Sequence, residues 1–210
     1  MKVGMIGLGV GTLATYGRQG DRYMFYEISP EDIAIATDTN MFTYLSDSAA
    51  SIDIRQGDAR IELGKDVSRG ERFDVLVIDA YSGDAVPLHL MTAEAFRLYR
   101  RAVNDDGVIA VHLSNWHLNL WPLMKAAAAE LGWSVCGLTS DAVLGEFAAA
   151  TDWAFLTGKP LSAIAPLCCR KVDWSCVKNV KLPTDDMGSI LPFIHFNYAP
   201  PVVDDVTQGD

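Results

Sequence analysis

Apolar residues in the first half of the chain gather into short runs, each ending on glycine or an acid and followed by a stretch of mixed polarity. Short apolar runs bounded by turn residues predict buried strands, and intervening stretches with helical spacing predict helices. Residues 3–6, 23–28, 52–55 and 74–78 predict four strands. The fourth is apolar from Val75 to Ile78 and belongs at the centre of a sheet covered on both faces. A helix is expected to begin with 12–16, straight after the glycines. Another follows Ser29, which suits an N-cap, with Pro30 at the first helical position.

The second half continues the alternation. Ala95, Phe96, Tyr99 and Val103 recur at helical spacing, so 92–103 predicts an amphipathic helix, with Thr92 and Glu94 suited to its first turn. Asp105-Asp106-Gly107 is expected to turn the chain into a fifth strand, 108–113, followed by a helix over 118–131. Residues 134–138 and 153–157 predict two last strands, an antiparallel pair at one edge; 143–151 is ambiguous. The sum is an α/β protein with a doubly wound, mostly parallel, seven-stranded sheet. Residues 1–199 are expected to form one domain and 200–210 an acidic, disordered tail.

Composition narrows the function classes. Half of the 210 residues are apolar, enough for one well-buried α/β core. A net charge of -10 argues against nucleic acid, whose binding rests on basic side chains, and suits a cationic ligand. No run approaches the roughly 20 apolar residues that span a bilayer, and the start lacks signal-peptide anatomy, so a cytoplasmic protein with no membrane segment is expected. The four cysteines include no CxxC pair and lack histidines at ligand spacing, so they are read as buried or idle thiols and no metal is expected.

The chemistry-bearing residues fall at strand ends. Gly7, Gly9 and Gly11 follow the first strand, where a backbone without Cβ atoms turns sharply and lets a ligand approach. The helix after them is expected to offer N–H groups to a carboxylate or phosphate. Taken alone this loop is weak, because it lacks the third glycine of the GxGxxG fingerprint. Glu27 ends the second strand about twenty residues on, where a carboxylate accepts from ribose hydroxyls. Asp58 ends the third strand and suits an adenine amino group. Asp79 ends the fourth. All four groups are expected at the carboxyl edge of one sheet, where ligands bind. His112 and His117 flank Ser114-Asn115; their default reading is structural, and a histidine base stays open.

The segments IGLGVGTLA (6–14), FYEISPE (25–31), QGDAR (56–60), FDVLVIDAYSGDAVPLHLMTAEAF (73–96), GVIAVHLSN (107–115) and Leu182-Pro183-Thr184-Asp185-Asp186 carry a resemblance over residues 3–196. They resemble the class I S-adenosylmethionine-dependent methyltransferase fold and, within it, the spermidine synthase-like (polyamine aminopropyltransferase) branch. The resemblance implies a donor, S-adenosylmethionine or its decarboxylated form, held by Gly7, Gly9, Gly11, Glu27, Ile28, Asp58, Ala59 and Ala80. It implies Asp79 as the group that deprotonates an attacking amine, and Tyr81, Asp84 and Asp185 as contacts for a small cationic amine. Homo-oligomers are usual among the resembling enzymes.

Two departures stand out. The family's second loop acid follows the first by three residues, whereas Asp84 follows Asp79 by five. The family's N-terminal β-hairpin region is expected to be absent, since the first strand begins almost at Met1. Three functions therefore remain open: aminopropyl transfer, methyl transfer to a small acceptor, and non-catalytic nucleoside binding or interaction.

Overall fold

The structure, a computed structural model, describes residues 1–81, 86–115, 117–142, 149–164, 172–189 and 193–194. Seven strands form one sheet: β1 (Lys2–Ile6), β2 (Arg22–Glu27), β3 (Ser51–Gln56), β4 (Phe73–Ile78), β5 (Val103–His112), β6 (Ser134–Ser140) and β7 (Thr151–Thr157). Their order is β3-β2-β1-β4-β5-β7-β6; β3 to β5 are parallel, and β7 runs antiparallel to both β5 and β6. This is the expected doubly wound α/β architecture. The chain leaves β1 on one side for β2 and β3 and returns on the other as β4. The switch point, with its crevice at the strand carboxyl ends, thus lies at the β1–β4 junction.

Strand alternation divides the interior in two. Val3, Met5, Tyr23, Phe25, Val77 and Ala110 face one layer, built from α1 (Pro30–Thr37) and the segment around Leu13 and Ala14. Ile6, Met24, Tyr26, Leu76, Ile78, Ile109 and Val111 face the other. Against them pack α2 (Ala59–Ser68), α3 (Ala93–Ala102) and α4 (Trp121–Leu131). A strand's period of two sends successive side chains to opposite faces, so one apolar run supplies both cores. Ser29 caps α1 by accepting from the Asp32 N–H at 3.0 Å, and Thr92 caps α3 from the Ala95 N–H. A short α5 (Leu161–Ile164) completes the described elements.

Several expectations are corrected. The helix after the glycines is a five-residue 3-10 turn, Thr12–Tyr16. Asp105-Asp106-Gly107 lies inside β5, at an irregularity where pairing jumps from Phe73–Val103 to Val75–Val108. The sequence reading assigned no helix to α2, whose buried positions Ala59, Leu63 and Asp66 include only two apolar residues. Cys136 is disulfide-bonded, not an idle thiol. Asp84, the ambiguous segment 143–148 and the tail 200–210 lie outside the described residues. Among the described residues, no helix is long and apolar enough to cross a membrane, and no group of three His, Cys, Asp or Glu side chains could hold a metal ion.

Candidate active site

The carboxyl ends of β1, β2 and β4 surround a cavity of about 450 Å³, in the size range of small-molecule sites. Gly7, Gly9, Glu27, Ile28, Asp79, Ala80 and Tyr81 line it, joined by Leu13, Phe25, Asp32 and Pro87, which the sequence did not single out.

Two glycines serve different purposes there. Gly7 has φ of 100°, and a Cβ on it would sit 2.3 Å from the Asp79 carbonyl oxygen. Glycine at this position lets the ends of β1 and β4 close together. Gly9 has φ of 54°, and a Cβ there would meet nothing within 4 Å. Its missing side chain leaves cavity space for a ligand. Gly11, by contrast, approaches Leu45 and does not line the cavity.

Glu27 is buried, and backbone groups fix its carboxylate. Oε2 accepts from the Leu8 N–H at 3.0 Å and Oε1 from the Ser29 N–H at 2.9 Å. Each oxygen keeps a lone pair for a further donor, so a vicinal diol can be read by both at once. Ile28 beside it is an exposed apolar wall.

Asp79 leaves β4 immediately after Ile78, whose partner in β5 is Val111; the next residue in β5 is His112. Asp79 Oδ1 and His112 Nδ1 are 2.7 Å apart. Tyr81 donates its hydroxyl to the His112 carbonyl at 2.6 Å. Burial, then the negative charges of Asp79 and Asp152, push the Tyr81 phenol well above its ordinary range. It therefore acts as a neutral hydrogen-bond donor. The sequence left His112 as a structural loop histidine by default. The signal that it neighbours Asp79 was the equivalent placement of the two residues at the ends of adjacent parallel strands.

Asp58 and Asp185 do not line this cavity. Asp58 caps α2: Oδ1 accepts from the N–H groups of Arg60 at 2.9 Å and Ile61 at 3.1 Å, and Oδ2 lies 3.3 Å from His89 Nε2. Ala59 is buried in the first turn of that helix. Asp185 forms a bidentate pair with Arg60 at 2.7 and 2.8 Å and accepts from the Thr92 hydroxyl at 2.8 Å. The Arg60 guanidinium, then Thr92, lowers the Asp185 carboxyl to about 2. Both acids line a second, wider depression of about 680 Å³ with Arg60, His89, Arg97 and Arg101. The smaller cavity is the one that sits at the topological switch point and is lined by the glycine loop.

Known structures share this architecture. Human methyltransferase-like protein 13, solved in complex with SAH, superposes with a TM-score of 0.55 at 16% identity, covering 76% of this chain and 72% of that one. The spermidine synthase of Thermotoga maritima gives 0.55 at 16% identity, covering 89% of this chain and 62% of that one. A probable spermidine synthase from Corynebacterium glutamicum gives 0.54 at 17% identity, covering 75% and 55%. The fold is thus the class I methyltransferase-like Rossmann fold, shared by methyltransferases and spermidine synthases. In sequence, a polyamine aminopropyltransferase of Vibrio vulnificus is 29% identical over 59 residues, 28% of this chain and 20% of that enzyme's length. No family model matches the chain.

Proposed function

We propose that the chain is a spermidine synthase-like transferase. It binds decarboxylated S-adenosylmethionine and passes the aminopropyl group to a small cationic amine. The observation that carries this reading is the charge of the cavity wall. Its described ionisable residues are Glu27, Asp32, Asp79 and Tyr81, with no lysine or arginine among them.

Three N–H groups of the glycine loop are spent inside the protein. The Gly7 N–H donates to the Tyr26 carbonyl, Leu8 to Glu27 and Gly11 to the Leu8 carbonyl. The five-residue turn that follows offers no long helix dipole. A donor with a methionine carboxylate would meet like charges in the cavity wall. A donor lacking that carboxylate, and carrying only cations, fits it.

In this reading Glu27 accepts from the ribose hydroxyls, Ile28 packs on the base and Gly9 gives the donor room. The donor supplies a carbon activated by a sulfonium. As the acceptor nitrogen bonds to that carbon, the carbon–sulfur bond breaks and the pair of electrons leaves with a thioether. Asp79 accepts the proton that the nitrogen sheds. The short curated match to a polyamine aminopropyltransferase supports the same branch.

Calorimetry tests the reading. Decarboxylated S-adenosylmethionine should bind at least about tenfold tighter than S-adenosylmethionine, equivalent to about 1.4 kcal/mol. Mass spectrometry should then detect spermidine from the decarboxylated donor and putrescine. Asp79→Asn should abolish that turnover while methylthioadenosine affinity stays within about twofold. Preference for the carboxylated donor would point to methyl transfer. No heat with any of the three ligands would leave an interaction domain.

A further inference from the structure

The pairing of Asp79 with His112 goes beyond the single carboxylate that the proposed reaction requires. His112 is held by several neighbours. Its ring stacks on Trp153 with centroids 4.8 Å apart and planes 18° from parallel. The Tyr81 ring meets it edge-on at 5.2 Å, and the Tyr81 hydroxyl ties its carbonyl. Among the described residues, the charged and titratable groups around it are Asp79 after β4 and Tyr81 in the following loop, and the charge of Asp152 on β7 acts on Tyr81.

Both ring nitrogens have partners, and the partners decide where the proton sits. Nδ1 lies 2.7 Å from a carboxylate oxygen, a separation typical of a charge-assisted hydrogen bond, so a proton belongs between them. Nε2 lies 3.2 Å from Thr151 Oγ1, and Thr151 Oγ1 lies 3.2 Å from Ser114 Oγ. Ser114 Oγ accepts from the Asp152 backbone N–H at 2.8 Å. Ser114 Oγ in turn donates to Thr151 Oγ1, and that bond gives the chain of hydroxyls its direction. Ser114 passes its proton toward Thr151, and Thr151 passes its own toward Nε2. The two hydroxyl links are long, so they set direction more than strength. A neutral imidazole with the proton on Nδ1 satisfies every donor in the series. The opposite tautomer would set a lone pair against the carboxylate, and an imidazolium would turn Nε2–H onto Thr151 Oγ1 and leave the Thr151 proton without an acceptor in the series.

We propose that His112 is a positioning residue for Asp79: as the neutral Nδ1–H tautomer it anchors Oδ1 and leaves Oδ2 as the free acceptor in the cavity. Among the described residues, Oδ2 takes no hydrogen bond. The anchored carboxylate cannot swing about its terminal torsion, so its free oxygen is pre-aligned for the proton of the bound amine. The proton moves from the amine nitrogen to Oδ2, and His112 neither gains nor loses one. This inference rests on the transferase reading for its catalytic consequence and on the hydrogen-bond series alone for the tautomer.

The two parts are tested separately. Long-range proton–nitrogen correlation spectra of the histidine-¹⁵N-labelled full chain at pH 8 distinguish protonated from bare ring nitrogens. The His112 signals are assigned by their loss in His112→Asn. A protonated Nδ1 with a bare Nε2 is expected. The reverse pattern, or two protonated nitrogens, overturns the proposal.

The kinetic arm uses decarboxylated S-adenosylmethionine with putrescine. His112→Asn keeps an amide N–H near the position of Nδ1 and should retain kcat within about fivefold. His112→Leu, checked for folding by circular dichroism, should lower kcat by about 10²-fold with KM little changed, the scale of a misplaced catalytic group. Equal kcat in wild type and His112→Leu overturns the positioning role, as does an equal loss in both variants. Absence of turnover in the wild type strikes the transferase reading instead, and the nitrogen spectra then decide the tautomer.

Discussion

Replacing Gly7 and Gly9 by alanine, one at a time, separates the two uses that the loop makes of glycine. At Gly7 the added methyl would stand 2.3 Å from the Asp79 carbonyl oxygen and 2.9 Å from its carbonyl carbon, at φ of 100°. Both obstacles are backbone, so relief requires the ends of β1 and β4 to separate. Those strands carry the parallel pairing Val3–Val75 to Ile6–Ile78, and the Asp79 N–H donates to the Ile6 carbonyl at 2.9 Å. Backbone strain of about 1–3 kcal/mol adds to overpacking of similar size, giving roughly 2–6 kcal/mol. At Gly9 nothing lies within 4 Å, and only the left-handed backbone is penalised, by about 1–2 kcal/mol.

For a domain of this size each kcal/mol shifts the melting temperature by about 2–4 °C. Thermal melts followed by circular dichroism should show Gly7→Ala falling by about 4–24 °C and Gly9→Ala by about 2–8 °C. Calorimetry with decarboxylated S-adenosylmethionine should give the opposite emphasis for Gly9→Ala, whose methyl enters the cavity and should weaken binding about tenfold or more. Equal melting shifts for the two variants, or a Gly9→Ala chain that binds as the wild type does, would refute the division of roles.

Two further outcomes follow from the hydrogen bonds. Glu27→Gln places an amide NH₂ against either the Leu8 or the Ser29 N–H. Losing one charge-assisted bond at a buried site should cost about 2 kcal/mol, read in urea unfolding, and should weaken methylthioadenosine as well; an unchanged unfolding midpoint would count against the backbone anchoring. Asp185 has a carboxyl lowered to about 2 by Arg60, below its unfolded value of 3.8. Its stabilising effect is therefore whole above about pH 4 and is lost as pH falls through about 2. The side chain is 43% exposed, so the effect is modest. Asp185→Asn should narrow the gap to the wild type between pH 4 and 2, whereas a gap independent of pH would contradict the pairing.

Most of the scaffold was legible because it follows from local rules. Buried strands announce themselves as apolar runs, and Ser29-Pro30 and Thr92 marked true helix starts. The edge pair β6–β7 was legible too, from two short runs late in the chain. Helix α2 escaped because it presents few apolar positions, and with it the cap that Asp58 supplies. A carboxylate after a strand has the same sequence appearance whether it awaits a ligand or caps a helix, and here Oδ1 caps.

What the sequence determined by itself was the sheet with its glycine loop, and acids at successive strand ends. Those are consequences of burial and of backbone conformations that only certain residues adopt. Tertiary structure alone decided which acids share a cavity. Glu27 turns inward because the Leu8 and Ser29 N–H groups meet it, while Asp185 is drawn to Arg60, 125 residues away in sequence. It also decided that Asp79 and His112, separated by 33 residues, stand side by side. Hydrogen bonds between side chains depend on distances of a few tenths of an ångström, and strand register and packing set such distances, not the order of residues along the chain.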